Sequence, residues 1–235
     1  MKTLPPKRRG AVLLVVGLLL TIFPLSADSQ RRRKQPCVQT LAQCDNDGCG
    51  GDPKLNAKKN ITQAATDPED WTLSQIVALN EESPDSWSSG RDRGELEELA
   101  EGTPVRVKGY LIDAFVTRTP ESTNCFLRGP ENNDFHLNLV RRSDLDKSQS
   151  VVVEITPRFR LDGWEISKLE ALADGSKYVR VTGYLMFDTA HPGASNHRAT
   201  AWEVHPVTKF EACVSTVTRC NQNAAGAWRR LEVLQ

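Results

Sequence analysis

The clearest structural signal in the sequence is a pair of nearly identical heptads, Val105-Arg-Val-Lys-Gly-Tyr-Leu111 and Val179-Arg-Val-Thr-Gly-Tyr-Leu185. In each heptad apolar residues alternate with polar ones, which is the pattern of a β-strand with one buried face. Each also has a glycine at its fifth position, where the missing side chain lets a strand bend sharply. Because nothing else in the chain repeats, we interpret the heptads as two strands of one tightly curved barrel rather than as two repeated domains.

Three further segments have strand character, and one helix lies among them. Residues 135–139 alternate apolar and polar side chains, residues 151–155 form an apolar run interrupted by Glu154, and residues 200–205 form the last strand. Apolar spacing predicts a helix over 163–172. The order β-β-β-α-β-β is that of the OB-fold, a five-stranded Greek-key barrel with one inserted helix, in which the first and fourth strands are neighbours. We therefore predict a mainly β protein built on an OB-like barrel.

Outside the barrel the sequence predicts two short helices and several non-strand segments. The spacing of Thr72-Leu-Ser-Gln75 is that of a helix-capping box and predicts a helix near 73–80. Residues 94–100 predict a second short helix, which Gly102 ends. The chain is thereby divided into a signal peptide or N-terminal anchor (1–29), a Cys-rich linker segment (30–68), a short helical segment (69–102), the barrel (103–210) and a Cys-containing tail (211–235).

The N-terminus has the pattern of a secretory signal. Four basic residues precede the apolar run 11–23, and small residues follow it near Ala27. The run is too short for a comfortable transmembrane helix, so we predict export to the periplasm or the extracellular space. The alternative is a membrane anchor formed by residues 11–23, because the basic run Arg31-Arg-Arg-Lys34 opposes translocation.

Length and charge restrict the function classes. The chain has 235 residues, with 30 Lys and Arg side chains against 30 Asp and Glu. The first 27 residues contain four basic and no acidic side chains, so the remainder carries 26 basic and 30 acidic groups, a net charge of −4. This excludes a strongly basic nucleic-acid binder, and the confinement of apolar stretches to the N-terminus excludes a polytopic membrane protein. The expected partner is an envelope or extracellular ligand.

An even number of cysteines agrees with export. In an exported chain such cysteines are first interpreted as disulfides. A zinc cluster is disfavoured because no C-x-x-C pair is present. Three cysteines precede the barrel and two follow it, so a bridge that joins the two ends is expected, although the pairing stays open. The candidates are Cys37, Cys44, Cys49, Cys125, Cys213 and Cys220.

Histidines and acids concentrate on the polar faces of the predicted strands. His136 lies on the polar face of the second strand, and His205 on that of the fifth. Glu154 interrupts an apolar strand, where an isolated buried carboxylate would be costly. We predict that His136, Glu154, His191 and His205 converge on a divalent metal ion, with zinc as the first candidate. The alternative is that these side chains form hydrogen-bonded pairs without a metal.

Several short motifs surround these residues. They are Gly48-Cys49, Lys59-Asn60, Asn124-Cys125, Asn133-Asp-Phe-His136, Val153-Glu-Ile-Thr-Pro157, Gly163-Trp164, Asp188-Thr-Ala-His191 and Trp202-Glu-Val-His-Pro206. Their combination resembles a family of uncharacterised exported bacterial proteins, over about residues 44–213. The resemblance implies no reaction. It implies a site made of Asn124, Asp134, His136, Glu154, Asp188, His191, Glu203 and His205.

The leading functional prediction is a non-enzymatic binding module of the cell envelope. Its candidate ligand-binding residues are Asn124, Asp134, Asn138, Asp188 and Arg198. The competing prediction is a metal-dependent hydrolase of nucleic acid or another phosphodiester, with Glu154 or Glu203 as the general base. In the structural interpretation both acids bridge to arginines instead, with Arg158, Arg160 and Arg198 as partners.

A third prediction is a binder of single-stranded nucleic acid or oligosaccharide on the open barrel face. The stacking candidates are Tyr110, Tyr184, Phe159 and Trp202, although the last of these is also a core candidate. The net charge of −4 disfavours nucleic acid as the partner.

Overall fold

The computed structural model describes residues 34–191, 195 and 197–234, and within them the chain forms one β-sheet that closes on itself. The strands are β1 (Glu69–Trp71), β2 (Pro104–Val116), β3 (Phe135–Val140), β4 (Val151–Ile155), β5 (Tyr178–Phe187), β6 (Trp202–Cys213) and β7 (Trp228–Arg230). The helices are α1 (Pro53–Lys59), α2 (Leu73–Ala78), α3 (Gly94–Leu99), α4 (Ile166–Asp174) and α5 (Val217–Asn221). The predicted signal or anchor, residues 1–29, lies outside the described residues.

Strands β2 to β6 form a closed five-stranded barrel. Their order is β2-β3-β4-β6-β5, and the pairing of β5 with β2 closes the ring. The β4–β6 pairing is parallel, at Val153 and Val204, and the other barrel pairings are antiparallel. Helix α4 connects β4 to β5, as in an OB-fold. The predicted fold class is confirmed, and β1 and β7 extend the sheet beside β2 and β6.

The two heptads pair with each other inside this barrel. Val107 lies opposite Val181 at the centre, and the glycine of each heptad lies opposite the first valine of the other. A Cβ atom at Gly183 would lie 2.4 Å from the carbonyl oxygen of Pro206. The strand crossing at this point is therefore too close for any side chain, as the predicted sharp bend requires.

Alternation along the strands separates an apolar interior from a polar outer face. In β3, Phe135, Leu137 and Leu139 belong to the core, so His136 and Asn138 point to the opposite side of the sheet. Trp202 is fully buried in the core, and its indole N–H donates to Ser83 at 2.7 Å. It is therefore a core residue and not part of a stacking surface.

Two predicted element boundaries were wrong. The last barrel strand runs from Trp202 to Cys213 rather than over 200–205. It is longer because it pairs with β5 as far as Ala212 and with β7 as far as Cys213. The inserted helix covers Ile166–Asp174 rather than 163–172. The capping box at Thr72 and Gln75 is present and opens α2 as predicted.

Three disulfides join Cys37 to Cys49, Cys44 to Cys125, and Cys213 to Cys220. The expected bridge between the two ends of the chain is not formed. Instead, Cys44–Cys125 fastens the Cys-rich segment to the connection between β2 and β3, and Cys213–Cys220 closes a short loop in the tail. Three disulfides are typical of an oxidising, exported environment. No helix in the described part of the chain has the length and apolarity needed to cross a bilayer.

Candidate functional site

The candidate site lies on the outer face of the barrel, where β3, β4 and β6 run side by side. His136 on β3 lies directly opposite Glu154 on β4. The parallel pairing of Val153 with Val204 brings the next residues, Glu154 and His205, onto the same face. The Cys-rich segment covers this face, so Glu154 and His205 are 1% and 0% exposed.

A third buried side chain, Asp134, joins Glu154 and His205 in a group that could hold a metal ion. A carboxylate oxygen of Asp134, a carboxylate oxygen of Glu154 and a ring nitrogen of His205 all lie within 4.8 Å of one another. His205 Nε2 is 3.4 Å from Asp134 Oδ2, and His205 Nδ1 is 2.8 Å from Glu154 Oε2. Two oxygens and one imidazole nitrogen are donors that zinc and similar divalent ions accept.

Polar atoms in this group lack aligned hydrogen bonds. Both ring nitrogens of His205, together with Glu154 Oε2 and Glu203 Oε1, have no well-directed partner among the described residues. The 2.8 Å contact of His205 with Glu154 is close but does not lie along the N–H direction. A buried polar atom without a hydrogen bond costs about 1–3 kcal/mol. The donor atoms of this group are therefore free of aligned hydrogen bonds among the described residues, and the group could hold a metal ion.

Lys59 brings one ammonium group into contact with three carboxylates of the site. Its Nζ lies 2.8 Å from Glu203 Oε1, 3.6 Å from Asp188 Oδ1 and 3.9 Å from Glu154 Oε2. Burial lowers the pKa of the ammonium, but the surrounding carboxylates outweigh burial and raise that pKa well above its usual value. Lys59 is therefore charged inside the site, and it balances part of the negative charge there.

Side-chain hydrogen bonds within the Cys-rich segment position Lys59 in the site. Asp52 caps the N-terminus of α1, and Lys59 is the last residue of that helix. Asn56 donates to the carbonyl oxygens of Asp47 and Gly50, at 2.9 and 3.0 Å. Asn60 donates to Asn46 O and Thr123 O, at 2.8 and 3.0 Å. Residues 46–60 of the predicted linker are thus an ordered part of the site.

His136 lies beside the metal group but not in it. Its Nδ1 is 2.9 Å from Glu154 Oε1, and its Nε2 is 3.2 Å from Glu121 Oε1. Burial lowers the pKa of the imidazole, but the two carboxylates outweigh burial and raise it well above its usual value. The ligand atoms that lie within 4.8 Å of one another belong to Asp134, Glu154 and His205, so the structure places the predicted ligand His136 next to this group rather than in it.

His191 is the other predicted ligand that does not join the group. Its side chain is 70% exposed, and its Nδ1 lies 2.8 Å from Asp188 Oδ2. Asp188 and Arg198 belong instead to the ion network behind the site, since Arg198 Nη1 lies 3.2 Å from Asp188 and 3.3 Å from Glu203. The predicted bridge between Glu203 and Arg198 is therefore present.

The other two arginines predicted as carboxylate partners bind backbone instead. Arg158 donates to the carbonyl oxygen of Cys44 at 2.7 Å, and Arg160 donates to that of Asn133 at 2.6 Å. Each thereby holds a loop at the edge of the site rather than neutralising Glu154.

The remaining predicted ligand-binding residues separate into two places. Asn124 donates to Asp134 Oδ1 at 2.9 Å, so it positions a member of the metal group. Asn138 donates to Ser150 and to the carbonyl oxygen of His197, at 2.7 and 3.0 Å, and has a structural role away from the group. Of the stacking candidates, Tyr184 donates to the carbonyl oxygen of Ala64.

Burial shifts the titration of the metal group itself. Burial, reinforced by nearby acids, raises the pKa of Asp134 to about 6. Burial lowers the pKa of His205, but Glu154 and Glu203 outweigh it and raise the value to about 9. At neutral pH His205 therefore holds a proton that a metal ion would have to displace.

A cleft of about 410 Å³ opens beside this network. Lys59 and Asp188 line it on the network side, and Glu121, His191 and Trp87 also contribute to its walls. The cleft thus connects the charged network with solvent.

Sequence reasoning found most of this network and missed the role of two members. The sequence predicts ligand binding rather than metal binding for Asp134, and it places Lys59 in a short motif without indicating a role. The signal for Lys59 was its place at the end of an Asp-capped helix in a segment rich in cysteine. No protein-family model, curated protein or solved structure matches the chain, so the site is interpreted from its own geometry.

Proposed function

We propose that the protein is an exported binding module of the cell envelope that holds a divalent metal ion, zinc first, between Asp134, Glu154 and His205. The observation that carries the proposal is the state of His205, which is fully buried with both ring nitrogens lacking an aligned hydrogen bond in the described part of the structure. A metal ion would supply the missing partner for one nitrogen and for Glu154 Oε2.

The donor set supports zinc over magnesium or calcium. One imidazole with two carboxylates is an N/O set that suits zinc and other late transition metals, whereas magnesium and calcium take oxygen ligands alone. Asn124, which donates to Asp134, would orient that ligand in the way that outer hydrogen bonds commonly do in metal sites.

The place of action is supported by the covalent structure. The N-terminal pattern of basic residues followed by an apolar run is typical of a secretory signal. All six cysteines are paired in disulfides, which persist outside the reducing cytosol. Both observations favour a module that works in the envelope or outside the cell.

Zinc content tests the proposal directly. The oxidised protein is loaded with zinc, passed through gel filtration and analysed for metal, together with Glu154→Gln, Asp134→Asn and His205→Gln. We expect about one zinc per chain in the wild type and a loss in all three variants. His191→Gln is the matched control, because that histidine lies outside the group, and it retains zinc.

Two outcomes would contradict the proposal. One is a wild-type protein without stoichiometric zinc, cobalt or nickel, and the other is equal metal content in His205→Gln and His191→Gln. Far-UV circular dichroism of every variant separates loss of a ligand from loss of the fold, and Asp134→Asn and Glu154→Gln are the mildest changes because each keeps the side chain's shape.

A further inference from the structure

Asp188 and His191 form a hydrogen-bonded pair that the proposed metal site does not use. Asp188 follows β5 directly, and its Oδ2 lies 2.8 Å from His191 Nδ1. With Nδ1 bound to the carboxylate, Nε2 is the ring nitrogen left to exchange a proton. This is the orientation that a buried acid gives to a histidine acting as a general base.

The acid of this pair is held rigidly. The Asp188 side chain is 2% exposed, and it also accepts hydrogen bonds from Arg198 at 3.2 Å and from the backbone N–H of Ala190 at 3.2 Å. The backbone N–H of His191 donates to Asp188 O at 3.1 Å, which closes a tight turn between the two residues. The turn and the network therefore fix Asp188 as the orienting member.

The histidine lies where a substrate has access. His191 is 70% exposed, and it lines the cleft together with Asp188 and Lys59. The cleft volume of about 410 Å³ falls within the range of small-molecule sites. An exposed histidine oriented by a buried carboxylate at a cleft of this size has the geometry of an acid–base catalyst.

We propose that His191, oriented by Asp188, is a general acid–base catalyst for the hydrolysis of small uncharged carboxylic esters in this cleft. Phosphodiesters are disfavoured, because the cleft walls include the carboxylates of Asp52, Glu121 and Asp188 against the single ammonium of Lys59 within the described lining. Leu55 and Trp87 give the same cleft apolar surface for an acyl or alkyl group.

The step needs water as its only co-reactant. His191 Nε2 takes a proton from a water molecule, and the water oxygen forms a bond to the ester carbonyl carbon. The tetrahedral intermediate then collapses, the bond from the carbonyl carbon to the alkoxy oxygen breaks, and the imidazolium returns its proton to the leaving alkoxide. The products are a carboxylic acid and an alcohol, and the imidazole is regenerated.

The charged groups around His191 set the pH at which it acts. The hydrogen bond to Asp188 raises the pKa of the imidazole, while burial and the positive charges of Arg198 and Lys59 oppose that shift. The general base is the neutral imidazole, so the rate should rise with pH through a pKa above 6.5, the ordinary value for histidine.

The test uses the full oxidised chain with p-nitrophenyl butyrate in the presence of EDTA. We expect saturable hydrolysis in the wild type and a fall in kcat/KM of about 100-fold in His191→Gln. His197→Gln is the control, because His197 is an exposed histidine outside the cleft lining, and it keeps the wild-type rate. The acidic limb of the pH profile should disappear in His191→Gln.

The proposal is overturned if the wild type hydrolyses the ester no faster than His191→Gln, or if the rate shows no saturation. His191→Gln changes an exposed side chain, so its result does not depend on refolding of a buried network. Asp188→Asn adds a second readout, since loss of the carboxylate should move the acidic limb to lower pH. EDTA removes the metal from the assay, so failure here and failure of zinc binding are separate results.

Discussion

Strand β6 carries two buried glutamates, Glu203 and Glu211, which differ in their cations and in their hydrogen bonds. Near its end, Glu211 accepts hydrogen bonds from Arg180 at 2.8 Å and contacts Lys209 at 3.1 Å. Near its start, Glu203 contacts Lys59 at 2.8 Å and Arg198 at 3.3 Å, yet its Oε1 has no aligned hydrogen bond within the described chain.

The origin of the cations explains the difference. Arg180 lies directly opposite Glu211 in the β5–β6 pairing, so the ladder itself sets a forked guanidinium against the carboxylate. Lys59 comes from a distant helix and meets several carboxylates with one point charge. The Glu211 carboxylate is thus held by a guanidinium from the neighbouring strand, whereas the Glu203 carboxylate keeps one oxygen without an aligned hydrogen bond among the described residues.

The strongest test of this contrast is removal of the central cation. Lys59→Met leaves several buried carboxylates without their ammonium, and we expect a loss of about 3–5 kcal/mol in the free energy of unfolding. Lys209→Met, in the Glu211 group, removes a lysine whose side chain is 43% exposed and should cost less than about 1 kcal/mol. Urea denaturation of the oxidised protein in EDTA measures both.

Zinc binding provides a second test of the difference between the Glu203 group and the Glu211 group. If the ion and the Lys59 ammonium neutralise the same carboxylates, zinc should raise the urea midpoint of Lys59→Met more than that of the wild type. Equal losses in the free energy of unfolding in Lys59→Met and Lys209→Met would contradict the proposed difference between the two groups.

The pH dependence of stability should have an alkaline limb that comes from His205 in the candidate site and an acidic limb to which both groups contribute. His205 has a folded pKa of about 9 against an ordinary 6.5, so its stabilisation is complete below pH 6.5 and is lost as pH rises to about 9. The loss is about 3 kcal/mol at 1.36 kcal/mol per pH unit. The pKa of Glu211 is lowered by Arg180 despite burial, so its stabilisation is present above its unfolded pKa and lost on acidification.

Unfolding curves between pH 3 and pH 10 in EDTA separate these contributions. His205→Gln should flatten the alkaline decline, and Glu211→Gln should remove only part of the acidic one, because Lys59 also lowers the pKa values of Glu154 and Asp188 despite their burial. His136, whose pKa is also raised, leaves a residual alkaline slope in His205→Gln. A variant that flattened the opposite limb would contradict the assignment.

The regions that contain the Glu203 group and the Glu211 group also differ in their disulfides. Cys44–Cys125, on the Lys59 side, spans a sequence separation of 81, and Cys213–Cys220, beside the Glu211 end, spans 7. Loop-closure entropy predicts about 4.5 kcal/mol for the first and about 2.4 kcal/mol for the second. Double Cys→Ser variants of each pair should therefore differ by about 2 kcal/mol in thermal or urea unfolding, and equal losses would argue against this entropic account.

The fold was predictable because its signals are local. The alternation and the mid-strand glycines of the two heptads indicate strands that bend, and the strand order then selects the barrel. The outward placement of His136 followed from alternation in its own strand, and Glu154 was expected to reach a partner because an isolated buried carboxylate is costly. These inferences need only neighbouring residues, which the sequence displays directly.

The exact members of the metal group were not predictable in this way. Asp134 precedes the first residue of β3, where strand alternation no longer sets the direction of a side chain, and its carboxylate turns toward His205. Lys59 reaches Glu203 from 144 positions earlier in the chain, and nothing local in either segment indicates that contact. His191 lies outside the group because the turn after β5 places its Nδ1 against Asp188.

The smallest expected effect tests whether the Glu211 group depends on the shape of its cation. Arg180 donates through Nε to Glu211 and through Nη1 to Asn223 at 2.9 Å, and its guanidinium lies 4.6 Å from the centre of the Trp228 ring. Arg180→Lys keeps the charge but cannot make all of these contacts, so we expect a loss of about 1 kcal/mol. Lys209→Arg is the control and should be neutral in urea denaturation. A loss in Arg180→Lys as large as that in Lys59→Met would mean that the Glu211 group is as tightly balanced as the candidate site.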